Sequence, residues 1–336
     1  MKKAQLVVNL GSPDSYSVSD VTRYLREFLM DKYVIDKPFL LRAFLVNCII
    51  VPFRAKSSAE AYKSIWQKDG SPLILLSKQF YEKFKQLSDV PVALGMRYGS
   101  PSIESAIDAL VEQNPDLDEL SLLPLYPHYA MATTLTVVEK TKQILKKKYP
   151  HINLAFVESF YNHPAYIDVL AQSIKDKLTD ADHLLFSYHG IPESHVIKTD
   201  VTGKHCLNAE NCCVTESAAH QFCYRHQVTE TTRLVAKALD LKPGFYSQAY
   251  QSRLGKDPWL TPFTDQTIKD LAKKGVKRLA VVCPAFVADC LETIEEIGQE
   301  AKEDFLEHGG ESFQLIPCLN DNDNWVNVAQ GLLARL

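Results

Sequence analysis

The sequence lacks three features that mark common functional classes. Its longest apolar stretch, residues 38–53, is too short to span a bilayer and is interrupted by Arg42. Lysine and arginine number 37 against 41 aspartates and glutamates, and this balance argues against a nucleic-acid partner. Neither GxGxxG nor GxxxxGK followed by Ser or Thr occurs, so we expect no nucleotide cofactor.

The apolar run near the N-terminus is short as well. Gly11, Ser12, Pro13 and Asp14 end it before it reaches the length of the apolar core of a signal peptide. We therefore interpret residues 5–10 as a first buried strand and expect a cytoplasmic location.

Apolar, β-branched segments alternate with amphipathic helical segments along all 336 residues. This alternation predicts the α/β class, with parallel sheets flanked by helices. Length and strand count predict two similar Rossmann-like domains, residues 1–160 and 161–320, with a cleft between them. We expect the last helix, within 321–336, to pack back on the first domain. The strands are predicted at 5–10, 91–96, 119–124, 152–158, 183–188, 245–250, 278–283 and 313–317.

Open parallel sheets bind ligands beyond the carboxyl ends of their strands. In this sequence, unusual polar and aromatic residues concentrate in the loops at those ends. We expect the functional residues in the loops at 11–14, 97–101, 126–134, 189–195, 248–259 and 284–292.

His189 is the first candidate for chemistry, because it ends an apolar strand and precedes Gly190. An imidazole at such a strand end takes up protons near neutral pH. A structural histidine that bonds a neighbouring loop is the alternative.

An acidic helix follows Cys290, with Glu292, Glu296 and Glu300 spaced four residues apart. In an α-helix these carboxylates form one stripe about 12 Å long. No Lys or Arg offsets their repulsion between residues 289 and 300. The stripe suits a divalent cation that moves between sites, and a solvated acidic face is the alternative.

Flat aromatic and cationic side chains occupy the other loops, at Arg97, Tyr98, Tyr126 and Trp259. They suit a planar aromatic acid as ligand, although each alone is also typical of packing at a rim.

Four of the eight cysteines lie in one segment, spaced C-x5-C-C-x9-C. In a reducing compartment, clustered thiols indicate metal ligands rather than disulfides. Four thiolates match the ligand number of a [2Fe–2S] cluster. Zinc fits the same thiolates, or a set that includes His205, His220 or His226. The four cysteines are Cys206, Cys212, Cys213 and Cys223.

Six segments resemble ferrochelatases, in the family's order and over nearly the whole chain. The most specific are SYHGIPESH and PAFVADCLETIEEI. The others are VNLGSP, GMRYGSP, LYPHYAMATT and QSRLGKDPWLTP.

This resemblance implies an enzyme, a lyase of haem biosynthesis that inserts Fe²⁺ into protoporphyrin IX. It implies that His189 and Glu292 are catalytic, and that Glu296 and Glu300 continue the metal path from them. It also implies that residues 38–53 form an apolar lip, with peripheral contact to the inner face of the membrane; from the apolar pattern alone, a core helix is the alternative. The residues that it implies for porphyrin binding are Leu10, Ser71, Arg97, Tyr98, Tyr126 and Trp259.

The cysteine segment departs from the simplest family pattern but resembles an insertion in some bacterial ferrochelatases that binds a [2Fe–2S] cluster. That resemblance favours the cluster over zinc. Three other functions stay open: a coproporphyrin III ferrochelatase, a cobalt or nickel chelatase for another tetrapyrrole, and a haem- or porphyrin-binding protein without turnover. The expected partners are porphyrin and ferrous iron, and the chain is expected to be a monomer or a homodimer.

Overall fold

The computed structural model describes residues 2–208, 211–255 and 257–336. The chain divides into two compact units. The first contains the chain up to Tyr126, together with Met131–Glu158 and Asn320–Leu336. The second contains Pro127–Ala130 and Ser159–Leu319.

The first unit is built on a four-stranded parallel sheet with the order β2-β1-β3-β4. One of its two inner strands, Lys3–Asn9, carries Leu6, Val7 and Val8, which are fully buried because helices cover both faces of the sheet. The strands are β1 (Lys3–Asn9), β2 (Val92–Met96), β3 (Glu119–Pro124) and β4 (Asn153–Phe156).

The second unit repeats this plan with the order β6-β5-β7-β8, again all parallel. The strands are β5 (His183–His189), β6 (Tyr246–Gln251), β7 (Arg278–Val282) and β8 (Ser312–Ile316). The predicted α/β class and the predicted likeness of the two halves are confirmed, because both sheets have the same strand order.

Helices fill the connections between strands, as right-handed parallel crossovers require. The α-helices are α1 (Val18–Leu29), α2 (Phe39–Phe44), α3 (Val51–Ile65), α4 (Pro72–Gln86), α5 (Ile103–Gln113), α6 (Thr136–Lys148), α7 (Pro164–Lys177), α8 (Glu193–Lys198), α9 (Tyr224–Ala238), α10 (Thr264–Lys273), α11 (Lys302–Glu307) and α12 (Asp323–Leu333). Wider π-helical turns occur at Leu45–Ile50, Met131–Leu135 and Glu292–Ala301, and a 3₁₀ turn at Ala218–Gln221.

Two segments fall in a different unit from most of the chain around them. The helix α12 belongs to the first unit, where Trp325 stacks on Phe80 with ring centroids 5.9 Å apart. Pro127–Ala130, which the predicted boundary at residue 160 places in the first domain, belongs to the second unit. The reason is a hydrogen bond from the Tyr129 N–H to Gln227 Oε1, at 2.7 Å.

The apolar segment 38–53 forms α2, a π-helical turn and the start of α3. Pro52 has no N–H to donate within the helix, and the Val51 N–H bonds to Val46 O, five residues back. Most of the large apolar side chains here are exposed, which favours the apolar lip over a core helix. They are Phe39, Leu40, Leu41, Phe44, Ile49 and Phe53. Among the described residues, no helix is both long enough and apolar enough to cross a membrane.

Candidate active site

In the second sheet, the strand order reverses between β5 and β7. The chain runs from β5 outward to β6 on one side and then to β7 on the other, which opens a crevice at the carboxyl ends of the strands. His189 is the last residue of β5, and Glu292 begins the helix that follows β7. The topology therefore places the predicted catalytic pair on either side of one switch point.

The imidazole of His189 is held in a single tautomer. Its Nδ1 lies 2.6 Å from the main-chain oxygen of Gly190. A carbonyl oxygen only accepts hydrogen bonds, so Nδ1 carries the proton and Nε2 of the neutral ring keeps its lone pair. The ring is partly buried and meets Phe286 edge-on at 6.3 Å. His189 is thus arranged as a proton acceptor at Nε2.

Gly190 allows the chain to turn sharply after β5. A Cβ at this position would lie 2.9 Å from Ser252 O and 3.0 Å from Gln251 O, so a larger residue would push β5 and β6 apart. Its N–H donates to Gln251 O at 2.7 Å. The Gln251 side chain in turn donates to Glu292 O at 3.0 Å, which ties the strand end to the acidic helix.

The acidic segment Glu292–Ala301 is a ten-residue π-helix, so the predicted α-helical stripe is wrong in its geometry. A π-helix bonds i to i+5, is rare and occurs frequently at functional sites. The predicted length of about 12 Å assumes α-helical geometry and therefore does not apply to the three glutamates. They still form a gradient of exposure, because Glu292 and Glu296 are half-buried whereas Glu300 is exposed.

Glu296 is fixed by two hydrogen bonds from Ser252. The Ser252 N–H donates to Oε1 at 2.8 Å and its hydroxyl to Oε2 at 2.5 Å. Burial raises the pKa of Glu296, and the hydrogen bonds from Ser252 and the charge of His189 oppose that rise. The charge of Glu292 raises the pKa of Glu296 further. His189 and Glu292 therefore both lie within electrostatic range of Glu296.

The remaining acids of the helix continue outward from this group. Burial, followed by the charges of Glu300, Glu296 and Glu292, raises the pKa of Glu295 to about 7. Glu300 and Glu296 line a hollow of about 240 Å³, together with Asp304 at its outer end. This hollow offers carboxylates to a cation along its length.

Arg97 and Tyr98, both predicted to contact porphyrin, are bound to Asp31 in the first unit. Arg97 forms an ion pair with this carboxylate, and Tyr98 donates a hydroxyl hydrogen bond to it at 2.9 Å. Thr136 donates to the same oxygen and accepts from Arg97 Nε at 2.7 Å. Tyr98 is fully buried beneath the Arg97 guanidinium, 4.4 Å from the ring centre. In this structure the Tyr98 ring lies against the Arg97 guanidinium and its hydroxyl bonds the partner of Arg97, so Tyr98 holds Arg97 in place.

The other predicted porphyrin residues lie at strand ends and loop positions. Leu10 packs against the core that includes Tyr126, and these two residues follow β1 and β3, the strands at the switch point of the first sheet. The hydroxyl of Tyr126 is buried and has no hydrogen-bond partner among the described residues. Ser71 is the buried N-cap of α4. In the second unit, Trp259 is held by a hydrogen bond to Leu254 O at 3.1 Å.

The four clustered cysteines approach one another in the second unit. Cys206 lies within electrostatic range of Cys223 and Cys212, and Cys213 within range of Cys212 and Cys223. Three of them are buried, and Cys213 is half-buried. Arg225 Nη1 lies 3.8 Å from Cys212 Sγ. Within the described residues, no three His, Cys, Asp or Glu side chains already form a metal-binding arrangement.

Sequence reasoning missed the residues that hold the predicted groups in place. Asp31 lies far from Arg97 in sequence and has no local signal. Ser252 stood inside a loop noted for Trp259, and its left-handed φ of 61° is visible only in three dimensions. Gln251 bonds Glu292 O and Tyr224 bonds the main-chain oxygen of His189, but both lie in ordinary strand and helix patterns.

Two solved structures share the fold of this chain. The structure of SirB from Bacillus subtilis with Fe³⁺ matches 100% of this chain and 95% of its own, with a TM-score of 0.53 at 13% identity. The sirohydrochlorin chelatase SirB from Bacillus subtilis subspecies spizizenii, in complex with cobalt, gives a TM-score of 0.56 at 12% identity over the same shares. These likenesses concern the fold alone.

Sequence comparison identifies the family. The ferrochelatase family model matches residues 2–335. The ferrochelatase of Pseudomonas fluorescens strain Pf0-1 is 47% identical over 99% of this chain and 97% of its own length. That of Opitutus terrae is 47% identical over 97% and 95%. The chain belongs to the ferrochelatase family and is a metal chelatase.

Proposed function

We propose that this chain inserts Fe²⁺ into protoporphyrin IX and releases the two pyrrole protons, the terminal step of haem biosynthesis. The observation that carries the proposal is the fixed ring of His189, whose Nδ1 is held by Gly190 O so that Nε2 is the nitrogen that accepts a proton. An acceptor of this kind, next to a graded row of carboxylates, meets the two needs of the reaction: proton removal and cation supply.

In this mechanism His189 Nε2 accepts a proton from a pyrrole N–H. Glu292, which begins the helix after β7 on the other side of the switch point, assists the transfer or relays the proton outward. Glu296 and Glu300 pass the substrate cation along the helix, and the two Ser252 hydrogen bonds hold Glu296 in place. Distortion of the bound ring would expose the nitrogen lone pairs to base and metal, which is binding directed at the transition state.

In the first unit, Leu10, Ser71, Arg97, Tyr98 and Tyr126 are proposed to form the porphyrin seat. The buried hydroxyl of Tyr126 supports this, since it has no partner within the described part of the chain, and a buried polar group without a partner is costly until a ligand supplies one. Asp31 fixes Arg97 through its ion pair, and Tyr98 acts through Arg97. Trp259 is the proposed porphyrin contact of the second unit.

The cysteine segment is proposed to hold a [2Fe–2S] cluster. Cys206, Cys212, Cys213 and Cys223 supply four thiols that already approach one another. Cys223 Sγ accepts from the His226 N–H at 3.5 Å, and Arg225 lies beside Cys212. N–H donors and a cation of this kind suit thiolate ligands. Since ring metallation transfers no electrons, the cluster would be structural or sensory.

A cytoplasmic location with peripheral membrane contact is proposed from two observations. All eight cysteines are free thiols, as a reducing compartment favours. The exposed apolar side chains of the lip, defined as residues 38–53, offer a surface for the bilayer interface.

A panel of substrates tests the proposed function. Initial rates are measured anaerobically with Fe²⁺, Co²⁺ and Ni²⁺, each with protoporphyrin IX and coproporphyrin III. We expect iron with protoporphyrin IX to have the highest kcat/KM, by about tenfold or more over coproporphyrin III. Faster metallation of coproporphyrin III would overturn the choice of substrate. Porphyrin binding without metallation of any ring would leave a binding protein and overturn the enzyme.

A further inference from the structure

One buried side chain connects the cysteine segment to His189. Cys223 is the N-cap of α9, and Tyr224 is the first residue of that helix. Tyr224 is only 5% exposed, and its hydroxyl donates a 2.8 Å hydrogen bond to the main-chain oxygen of His189. A proposed cluster ligand is thus one residue away from a direct contact with the proposed base.

This contact fixes one end of the peptide group that joins His189 to Gly190. The other end is fixed by the Gly190 N–H, which donates to Gln251 O at 2.7 Å. The imidazole then bonds the next carbonyl, that of Gly190. Because the peptide group is planar, the Tyr224 hydroxyl helps to set the direction in which the His189 ring, and therefore Nε2, points.

The surroundings of Tyr224 make the contact strong and hard to replace. The His128 ring meets it edge-on at 5.9 Å, and the site is buried from solvent. A carbonyl that loses its donor in such a place keeps an unsatisfied hydrogen bond. Loss of the hydroxyl therefore shifts the equilibrium position of the His189 peptide group.

We propose that Tyr224 is a positioning residue for His189, and that the cysteine segment acts on metallation through it. When Cys223 is bound within the cluster, the first turn of α9 is anchored and Tyr224 holds the His189 carbonyl. When the cluster is lost, that turn is released and the hold on the base weakens. This inference deepens the proposed function and rests on it.

The first test is Tyr224→Phe, which removes only the hydroxyl. We expect kcat to fall roughly three- to tenfold, with the KM for porphyrin within about twofold of wild type. Hydrogen exchange at residues 186–192 should accelerate, while the visible absorbance of the cluster stays at its wild-type level. Wild-type kcat together with wild-type exchange would overturn the inference.

Tyr166→Phe is the matched control, because Tyr166 is another buried tyrosine whose hydroxyl donates to a backbone carbonyl, that of Pro284, at 3.3 Å. It should lower stability to a similar extent but leave kcat and exchange at 186–192 unchanged. An equal loss of kcat in both variants would mean that a general structural effect, and not positioning, is measured.

The second test combines Tyr224→Phe with Cys206→Ser, which removes one proposed cluster ligand. If the cluster acts through Tyr224, the hydroxyl contributes nothing once the cluster is gone, and the double variant should have the kcat of Cys206→Ser within about twofold. Losses that multiply in full would overturn the link. If Cys206→Ser does not fold, Cys213→Ser replaces it in both the single and the double variant.

The proposed function and the positioning role of Tyr224 can be disproved separately. A wild-type protein that metallates no porphyrin removes the proposed function, and the exchange data still report whether Tyr224 holds His189. An active wild type with an unaffected Tyr224→Phe variant removes the inference and leaves the function.

Discussion

Asp31 shows how a single carboxylate organises several side chains. Its side chain is 5% exposed and accepts hydrogen bonds from Tyr98 and Thr136 while it pairs with Arg97. A buried ion pair of this kind is costly to break, because the remaining charge stays desolvated.

Asp31→Asn should therefore destabilise the protein by about 3 kcal/mol or more, as the Arg97 guanidinium would be left buried beside a neutral amide. The free energy of unfolding from urea titration checks this. Asp14→Asn is the control, since it breaks the exposed pair with Arg23 and should cost about 1 kcal/mol or less. Equal losses in the two variants would contradict the structural role of Asp31.

At this scale the sequence predicted the reactive groups better than their supports. His189 was predicted because an imidazole at a strand end, followed by glycine, is a local pattern. Asp31 and Ser252 were not, since they act on partners 66 and 44 residues away and nothing nearby marks them. Tyr98 was predicted at the correct loop, but its complete burial follows from packing that no local pattern encodes.

The π-helix at Glu292–Ala301 concentrates negative charge, and its stability depends on pH. The pKa of Glu295 is raised from 4.5 to about 7, so between these values the folded state holds a proton that the unfolded state has lost. The contribution of Glu295 to the free energy of unfolding is therefore fully present below pH 4.5 and is lost as the pH rises toward 7.

Glu295→Gln removes this penalty. We expect the variant to be as stable as wild type near pH 4 and increasingly more stable as the pH rises to 7, with a constant difference above that. Urea midpoints measured from pH 4 to pH 8 check this. Glu307→Gln, at an exposed position of α11, should show no such pH-dependent gain. A difference that does not change with pH would contradict the assigned cause.

The cysteine segment makes a separate prediction. Protein purified anaerobically should be coloured and contain about two iron and two acid-labile sulfide per chain. Cys213→Ser should lose both, and Cys48→Ser, at an exposed position outside the segment, should keep them. Colourless wild-type protein, or bound zinc instead of iron and sulfide, would contradict the cluster.

The inner strands were the most predictable, because buried parallel strands such as β1, β3, β5 and β7 are largely apolar runs with a strong signal. The π-helix was not predictable, since the glutamates recur at a spacing that also fits an α-helix. The first turn also makes contacts that the repeat does not encode, from Gln251 to Glu292 O and from Thr293 to Asp289.

For the whole molecule, the exposed lip is the surface that we propose to contact the membrane. Leu40 is 81% and Phe39 is 64% exposed, so their replacement should not weaken the fold. Insertion of such side chains into a bilayer interface gains about 1.5–3 kcal/mol each. Phe39→Ser with Leu40→Ser should therefore weaken binding to lipid vesicles by roughly tenfold or more in co-sedimentation.

Val214→Ser provides the control for the lip, since Val214 is 70% exposed in the second unit and should not affect vesicle binding. Vesicle binding that is equal in wild type and lip variant would remove the proposed membrane contact.

The two-part architecture itself was predictable from length and repeated patterning, whereas the assignment of Pro127–Ala130 to the second unit depends on side-chain contacts such as that of Tyr129 with Gln227.

The central claim is that turnover of the whole enzyme depends on one proton acceptor, Nε2 of His189. The most direct measurement is the anaerobic rate of haem formation from Fe²⁺ and protoporphyrin IX by His189→Ala, with the exposed His151→Ala as control. We predict that kcat falls about 100-fold or more in His189→Ala and is unchanged in the control. A folded His189→Ala protein that retains more than about a tenth of the wild-type kcat would contradict the claim.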